Sequence, residues 1–229
     1  MRIFKKIFRP VYYRLLFAYK FYKIWGVNIL KPLVIFDVGA NNGENFIEAA
    51  SLFFWVKVYA FEPTPQLIDQ IKIKTEKISN YKLFPFAVDL ESGKKSFNVS
   101  GNGDWGCSSL LSFNDNINET WIDRNDLKVT EKIEVEAITL HEFVTNQQIS
   151  KIDLLHVDTQ GNDLRVLLSL GNEINYVRKG VVEVPENEIV KLYKGQHSKK
   201  EMLTFLDSKG FTIWRIDKQQ NEENLFFKR

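Results

Sequence analysis

At 229 residues, with 44% apolar and 26% charged residues, the chain is long enough to bury one sizeable core and has an ordinary globular composition. A net charge of +2 argues against a nucleic-acid partner. The single cysteine, Cys107, excludes an intrachain disulfide and fits a reducing, cytoplasmic compartment.

The first 30 residues stand apart. The stretch MRIFKKIFRPVYYRLLFAYKFYKIWG carries Arg2, Lys5, Lys6, Arg9, Arg14, Lys20 and Lys23 and no acid. Charges interrupt every apolar run, which excludes a transmembrane span. The uncharged core and small-residue cleavage site of a signal peptide are missing. The pattern predicts a basic, aromatic amphipathic helix within residues 1–30. It either packs on the domain or on a second subunit, as in a homodimer, or makes a peripheral contact with an anionic membrane surface. Residues 31–229 read as one domain.

Leu33–Asp37 is a continuous apolar run, as expected of a strand covered on both faces. Asn42 or Asn45 is placed to cap a helix that buries Phe46, Ala49, Ala50 and Phe53. Val56–Phe61 is the second strand. Thr64 and Pro65 then open a helix with Leu67, Ile68 and Ile71 on one face. Lys82–Val88 reads as a third strand. This alternation predicts a parallel sheet with right-handed crossovers.

Residues 95–138 break the rhythm. Phe97 and Val99 suggest a strand edge, SGNGDWGCSSLLSFNDN reads as a long loop, and Ile133, Val135 and Ala137 alternate as a strand. Leu140, Phe143 and Val144 mark a short helix. Ile152–Val157 is the fourth buried strand. A helix over 162–170, stopped by Gly171, follows it. Gly180–Val184 is the fifth strand. Ser198 and Glu201 form a capping box for a helix burying Met202, Phe205 and Leu206. Phe211–Ile216 and Leu225–Phe227 close the fold as an antiparallel hairpin. The fold class is therefore α/β: a mostly parallel Rossmann-like sheet with helices on both faces.

In such sheets ligands bind beyond the carboxyl ends of the strands. Those ends carry Asp37, Glu62, Asp89, Asp158 and Glu183. Gly39 and Gly43 allow positive φ or close backbone approach after the first strand. Their spacing differs from the G-x-G-x-x-G dinucleotide pattern, and Asp37 ahead of them disfavours a pyrophosphate. A cationic ligand fits better, and S-adenosylmethionine carries both an ammonium and a sulfonium. Glu62 stands where a carboxylate takes ribose hydroxyls.

The segments DVGANNGENF, YAFEPTPQL, TLHEFV, IDLLHVDTQGNDLRVL and VVEVPENEIVKLYKGQ resemble the successive motifs of the FkbM-type methyltransferases, class I enzymes dependent on S-adenosylmethionine. The likeness runs from about residue 33 to 216. It implies O-methylation of a sugar or polyketide hydroxyl. By this resemblance Asp37, Gly39, Asn41 and Gly43 hold the methionine end of the cofactor, Glu62 and Pro63 the ribose, and Val88 and Asp89 flank the adenine. Ser108 and Ser109 match a serine-bearing segment near the cofactor. Asp158, Gln160 and Gly161 occupy an Asp-x-Glu-Gly motif with Gln in place of the commoner Glu. His156 stands where many members have Lys, and His141 where many have Asp.

Methyl transfer to a hydroxyl needs alignment, exclusion of water and removal of a proton. Asp158 is the first candidate for that base or for orienting the acceptor. His156 faces the same side of its strand, as a second base, a brace for Asp158 or a buried core histidine. Gln160, Trp105 and Glu183 are the candidates for the acceptor side. Trp105 would be either a lid stacking on a sugar face or a packing residue. Asp158 and Glu183 lack a third partner, so no metal site is assigned. A glycan or glycolipid methyltransferase is the leading reading. A nucleotide-dependent oxidoreductase and a catalytically silent binding module of the same fold remain open.

Overall fold

A computed structural model describes residues 2–101, 105–122, 124 and 126–229. In chain order its elements are α1 (Arg2–Trp25), β1 (Leu33–Val38), α2 (Ile47–Leu52), β2 (Val56–Phe61), α3 (Pro65–Thr75), β3 (Tyr81–Phe84), β4 (Ala87–Val88) and β5 (Gly93–Ser100). There follow α4 (Ile117–Thr120), β6 (Val129–Ile138), α5 (Leu140–Asn146), β7 (Leu154–Val157), α6 (Asp163–Leu168), a 3₁₀ segment (Gly171–Tyr176) and β8 (Lys179–Pro185). The chain ends with α7 (Lys199–Ser208), β9 (Thr212–Lys218) and β10 (Glu222–Lys228).

The main sheet has seven strands in the order β3-β2-β1-β7-β8-β10-β9. The pairs from β3 to β8 are parallel, and β10 runs antiparallel to both β8 and β9. From β1 the chain moves outward to β2 and β3, then returns on the other side of β1 to start β7. That reversal puts a topological switch point between β1 and β7.

Alternation along each strand sorts side chains into two cores. On one face Leu33, Ile35, Val58, Ala60 and Leu154 pack with α1, α2 and Ile71 of α3. On the other, Phe36, Val38, Leu155, Val157 and Val182 pack against α5, α6 and α7. Helices therefore cover both faces, as the apolar strands require.

The predicted N-terminal helix is present and ends at Trp25. Phe17, Ala18, Phe21 and Trp25 press it into the same core as β1 and α2. It packs on the domain along that face.

Three expectations need correction. The predicted strand Lys82–Val88 is broken: Tyr81–Phe84 pairs with β2, while Ala87–Val88 belongs to a separate three-stranded sheet, β4-β6-β5. Pro85 lies at the break and has no amide to donate. Asn42 and Asn45 do not cap α2. Its N-cap is Phe46, without a side-chain cap, and Asn42 instead accepts from the Glu44 amide. Gly171 does not stop the chain's helical course but starts the 3₁₀ segment, after α6 has ended at Leu168. The Ser198–Glu201 capping box is formed as expected.

The segment between β5 and β6 is anchored at several points, although residues 102–104 of the predicted loop lie outside the described residues. Asn98 and Ser109 exchange backbone hydrogen bonds. Trp121 is buried with Leu127, Leu192 and Tyr193, and its indole donates to the Val190 carbonyl.

One polar side chain ties the β2 side of the sheet together. The Asn80 amide donates to the carbonyls of Ala50, Phe53 and Val56, at 2.9, 3.2 and 2.6 Å. These carbonyls belong to the end of α2 and the start of β2, and without Asn80 they lose this side-chain donor. Asn80→Ala is expected to lower stability by about 1–3 kcal/mol in urea unfolding, and an unchanged midpoint would contradict the role.

Candidate active site

At the carboxyl ends of β1, β2 and β7 the chain forms a cleft of about 570 Å³, including its open mouth. The loops that follow these strands line one side, with Gly39, Asn41, Glu62, Asp158 and Gln160. The small sheet and its loop supply the apolar side, with Phe97, Trp105 and Leu110.

The joint between β1 and β7 sets the floor. Gly39 has φ +82°, and a Cβ there would lie 1.9 Å from the Asp158 carbonyl oxygen. Only glycine permits that approach. The loop after β1 and the loop after β7 are thereby pressed together, and Asp158 stands beside the first loop.

Glu62 is 5% exposed at the end of β2. Its two carboxylate oxygens accept from the amides of Asn41 and Thr64, each at 2.8 Å. Each oxygen keeps further acceptor capacity. Burial raises its pKa to about 7 against the lowering effect of the Thr64 and Asn41 hydrogen bonds, with the charge of Asp37 adding to the rise.

Asp158 is half-buried at the cleft. Its Oδ1 accepts from the Gln160 side-chain amide at 2.7 Å, and the same amide donates to Glu183 at 3.3 Å. Burial, followed by the charges of Asp158, Glu222 and Asp163, holds Glu183 well above the usual carboxyl range. Asp163 is raised to about 7 by burial and by Asp158, although the amides of Thr159 and Gly161 donate to it. Gln160 has φ +55°. Its carbonyl accepts from the Ser109 hydroxyl at 2.7 Å, and its side-chain oxygen is bonded by the Tyr193 hydroxyl at 2.9 Å. The Tyr193 bond orients the amide so that its NH₂ faces Asp158 and Glu183.

Gly39, Asn41, Glu62, Pro63, Val88, Asp158, Gln160 and Trp105 of the expected site line this one cleft. Six expected residues do not line it. Asp37 and His156 are direct neighbours across β1 and β7, and their side chains point to the core under α1 and α2, where the His156 Nδ1 bonds Asp37 at 2.8 Å. Trp25 and Phe46 close edge-on over the imidazole at 5.4 and 5.7 Å between centroids. This is the buried-histidine alternative, and its partner is Asp37, not Asp158. Gly43 packs against Ile47. Asp89 is drawn to Arg165 at 2.7 Å and to Lys95 at 3.7 Å. Ser109 is spent on Gln160 and on the Leu111 amide, while Ser108 lines the cleft in its place. Glu183 sits behind Gln160.

Sequence reasoning missed Tyr193, Asn162 and Phe97. Tyr193 is a single aromatic in a polar segment and carries no local signal. Asn162 donates to the Val88 carbonyl at 3.0 Å, a contact between residues far apart in the chain. Phe97 falls in a short strand-like pattern that gives no sign of the cleft.

A family model described as the methyltransferase FkbM domain matches residues 37–213. The chain belongs to the FkbM methyltransferase family. Its cofactor is S-adenosylmethionine. The chain is also similar to the 2-O-methyltransferase NoeI of Sinorhizobium fredii, at 25% identity over 181 residues, covering 76% of this chain and 71% of that one. Among solved structures it is similar to a precorrin-6y C5,15-methyltransferase from Geobacter metallireducens, at 12% identity and TM-score 0.47, covering 87% of this chain and 80% of that one. It is similar too to Aeropyrum pernix fibrillarin in complex with S-adenosyl-L-methionine, at 9% identity and TM-score 0.44, covering 86% and 66%.

The FkbM match begins at Asp37 and leaves α1 outside it. Asp37 has a second oxygen, Oδ2, that is buried without a hydrogen-bond partner. Burial pulls the His156 pKa down, but the hydrogen bond and charge of Asp37, with Asp158 and Asp163 beyond, leave it above the ordinary value of 6.5. A raised folded-state pKa means stability from this pair is fully present below about pH 6.5 and is lost as pH rises through the folded value. Urea unfolding of the native chain and of His156→Gln, compared from about pH 5 to about pH 9, should show the native advantage largest at the acid end. An advantage that grows with pH would contradict the pairing.

Proposed function

We propose that this FkbM methyltransferase transfers the methyl group of S-adenosylmethionine to a hydroxyl of a sugar in a glycan or glycolipid. When bound, the cofactor supplies an electrophilic methyl on sulfur, so in-line alignment is the main demand on the protein. The observation that carries the reading is the joint presence in one cleft of a deep, braced carboxylate, Glu62, and a rim carboxylate, Asp158. Glu62 would accept from the ribose hydroxyls, its direction fixed by the Asn41 and Thr64 amides. The close-packed backbone at Gly39 and Asn41 would lie along the methionine end. Val88 and the apolar side would cover the adenine.

Asp158 would take the proton of the attacking hydroxyl. Gln160, oriented by Tyr193, holds one of its oxygens. Trp105 at the cleft offers an indole face for the C–H surface of a sugar. The name of the NoeI relative, a 2-O-methyltransferase, supports a hydroxyl acceptor.

Two measurements test this. Isotope-labelled S-adenosylmethionine, incubated with the enzyme and surface-glycan preparations, should place label on a sugar O-methyl group located by mass spectrometry. Label appearing only on protein or nucleic acid would overturn the acceptor class. S-adenosylmethionine affinity should rise with pH through about 7, as Glu62 ionises, and then level off. Glu62→Gln should bind roughly tenfold to a hundredfold more weakly and without that pH step. An unchanged affinity would remove Glu62 from the site.

A further inference from the structure

The helix α1 has two apolar faces, and the domain uses one. Phe17, Ala18, Phe21 and Trp25 are turned inward to the core. On the outer side, Tyr12, Leu15, Tyr19 and Tyr22 recur at three-four spacing and are 67%, 53%, 60% and 54% exposed. This spacing puts them in one stripe along the helix. Leu30, 49% exposed, joins Leu15, Tyr19 and Tyr22 around a shallow groove. The exposed Lys20 and Lys23 flank the stripe, and the Lys23 ammonium lies 5.6 Å from the centre of the Tyr19 ring.

Charge is segregated to match. The helix holds seven of the chain's 31 basic residues and none of its 29 acids, so it carries +7 and the remainder carries −5. No helix among the described residues is long and apolar enough to cross a membrane. A second copy of the same helix would bring like charges together, and a helix–helix seam favours Leu and Ile at such spacing over tyrosine. Tyrosine, with an apolar ring and a polar tip, suits the boundary between headgroups and acyl chains. Basic residues beside it suit anionic headgroups.

We propose that the outer face of α1 docks on an anionic lipid surface and lies in its plane. The tyrosine stripe enters the headgroup boundary and the flanking lysines meet the anionic groups. The negative remainder is repelled by the same surface, so the chain is held with α1 toward the lipid. This docking does not depend on the acceptor proposed above.

Co-sedimentation of the full chain with vesicles tests it, using phosphatidylcholine alone and phosphatidylcholine mixed with phosphatidylglycerol. Binding to the mixed vesicles, weak binding to the neutral ones and release by added salt are expected. Lys20→Glu with Lys23→Glu should weaken partition roughly tenfold or more, as should Tyr12→Ser with Tyr19→Ser. Lys128→Glu with Lys132→Glu, just before and within β6, should have a smaller effect than the helix pair. Unchanged thermal unfolding and S-adenosylhomocysteine affinity establish that each variant is folded. Three results would overturn the proposal: no binding to the mixed vesicles, equal binding to both kinds, or a dimer without vesicle binding that dissociates on Tyr12→Ser with Tyr19→Ser.

Discussion

The close contact of β1 with β7 is the constraint on which the rest of the molecule depends. Below the strand ends, Asp37 and His156 face one another across the two strands and are bonded in the core. Above, Gly39 lies directly against the Asp158 carbonyl, where any larger residue would force the strands apart. One contact is electrostatic and the other steric, and both act on the same pair of strands. Together they bring two loops side by side that are more than a hundred residues apart in the chain. The cleft is the space those loops share, closed on its far side by the small sheet.

Within the cleft the acidic residues are differentiated by surroundings. Glu62 is deep and braced by two backbone amides, which gives a rigid acceptor with a fixed direction. Asp158 sits at the rim and is half-exposed, which suits a group that exchanges a proton with an incoming acceptor. Glu183 and Asp163, both raised by burial, stand behind it. Raising both above the usual carboxyl range limits the negative charge gathered beside Asp158. The Gln160 amide spans Asp158 and Glu183 and separates the two carboxyl groups.

The main sheet was legible because its strands are covered on both faces. Val56–Phe61 is recovered residue for residue, and the closing antiparallel hairpin shows in the sequence as Phe211–Ile216 and Leu225–Phe227 joined by a polar turn. The small sheet was not. Gly93–Ser100 is largely polar and buries only its second half, and Ala87–Val88 is too short to show a period. The apolar run continues past Pro85 and so hides the break there. In the site, residues at strand ends were found because an acid after an apolar run is conspicuous. Which way each pointed was not. Asp37 looked like Glu62 in sequence, yet the pleat turns it away from the cleft and into contact with His156, a pairing across 119 positions that no local pattern announces. Tyr193 was hidden for a similar reason, since its importance lies wholly in its distant partners Gln160 and Cys107.

With Glu62 binding the cofactor and Asp158 removing the proton, Asp158→Asn separates the two roles. Its S-adenosylhomocysteine affinity, measured calorimetrically, should stay within about twofold of the native value, while single-turnover methyl transfer should fall by roughly 10²–10⁴. A variant that transfers methyl at the native rate, or one that loses the cofactor altogether, would contradict the division of labour proposed for this cleft.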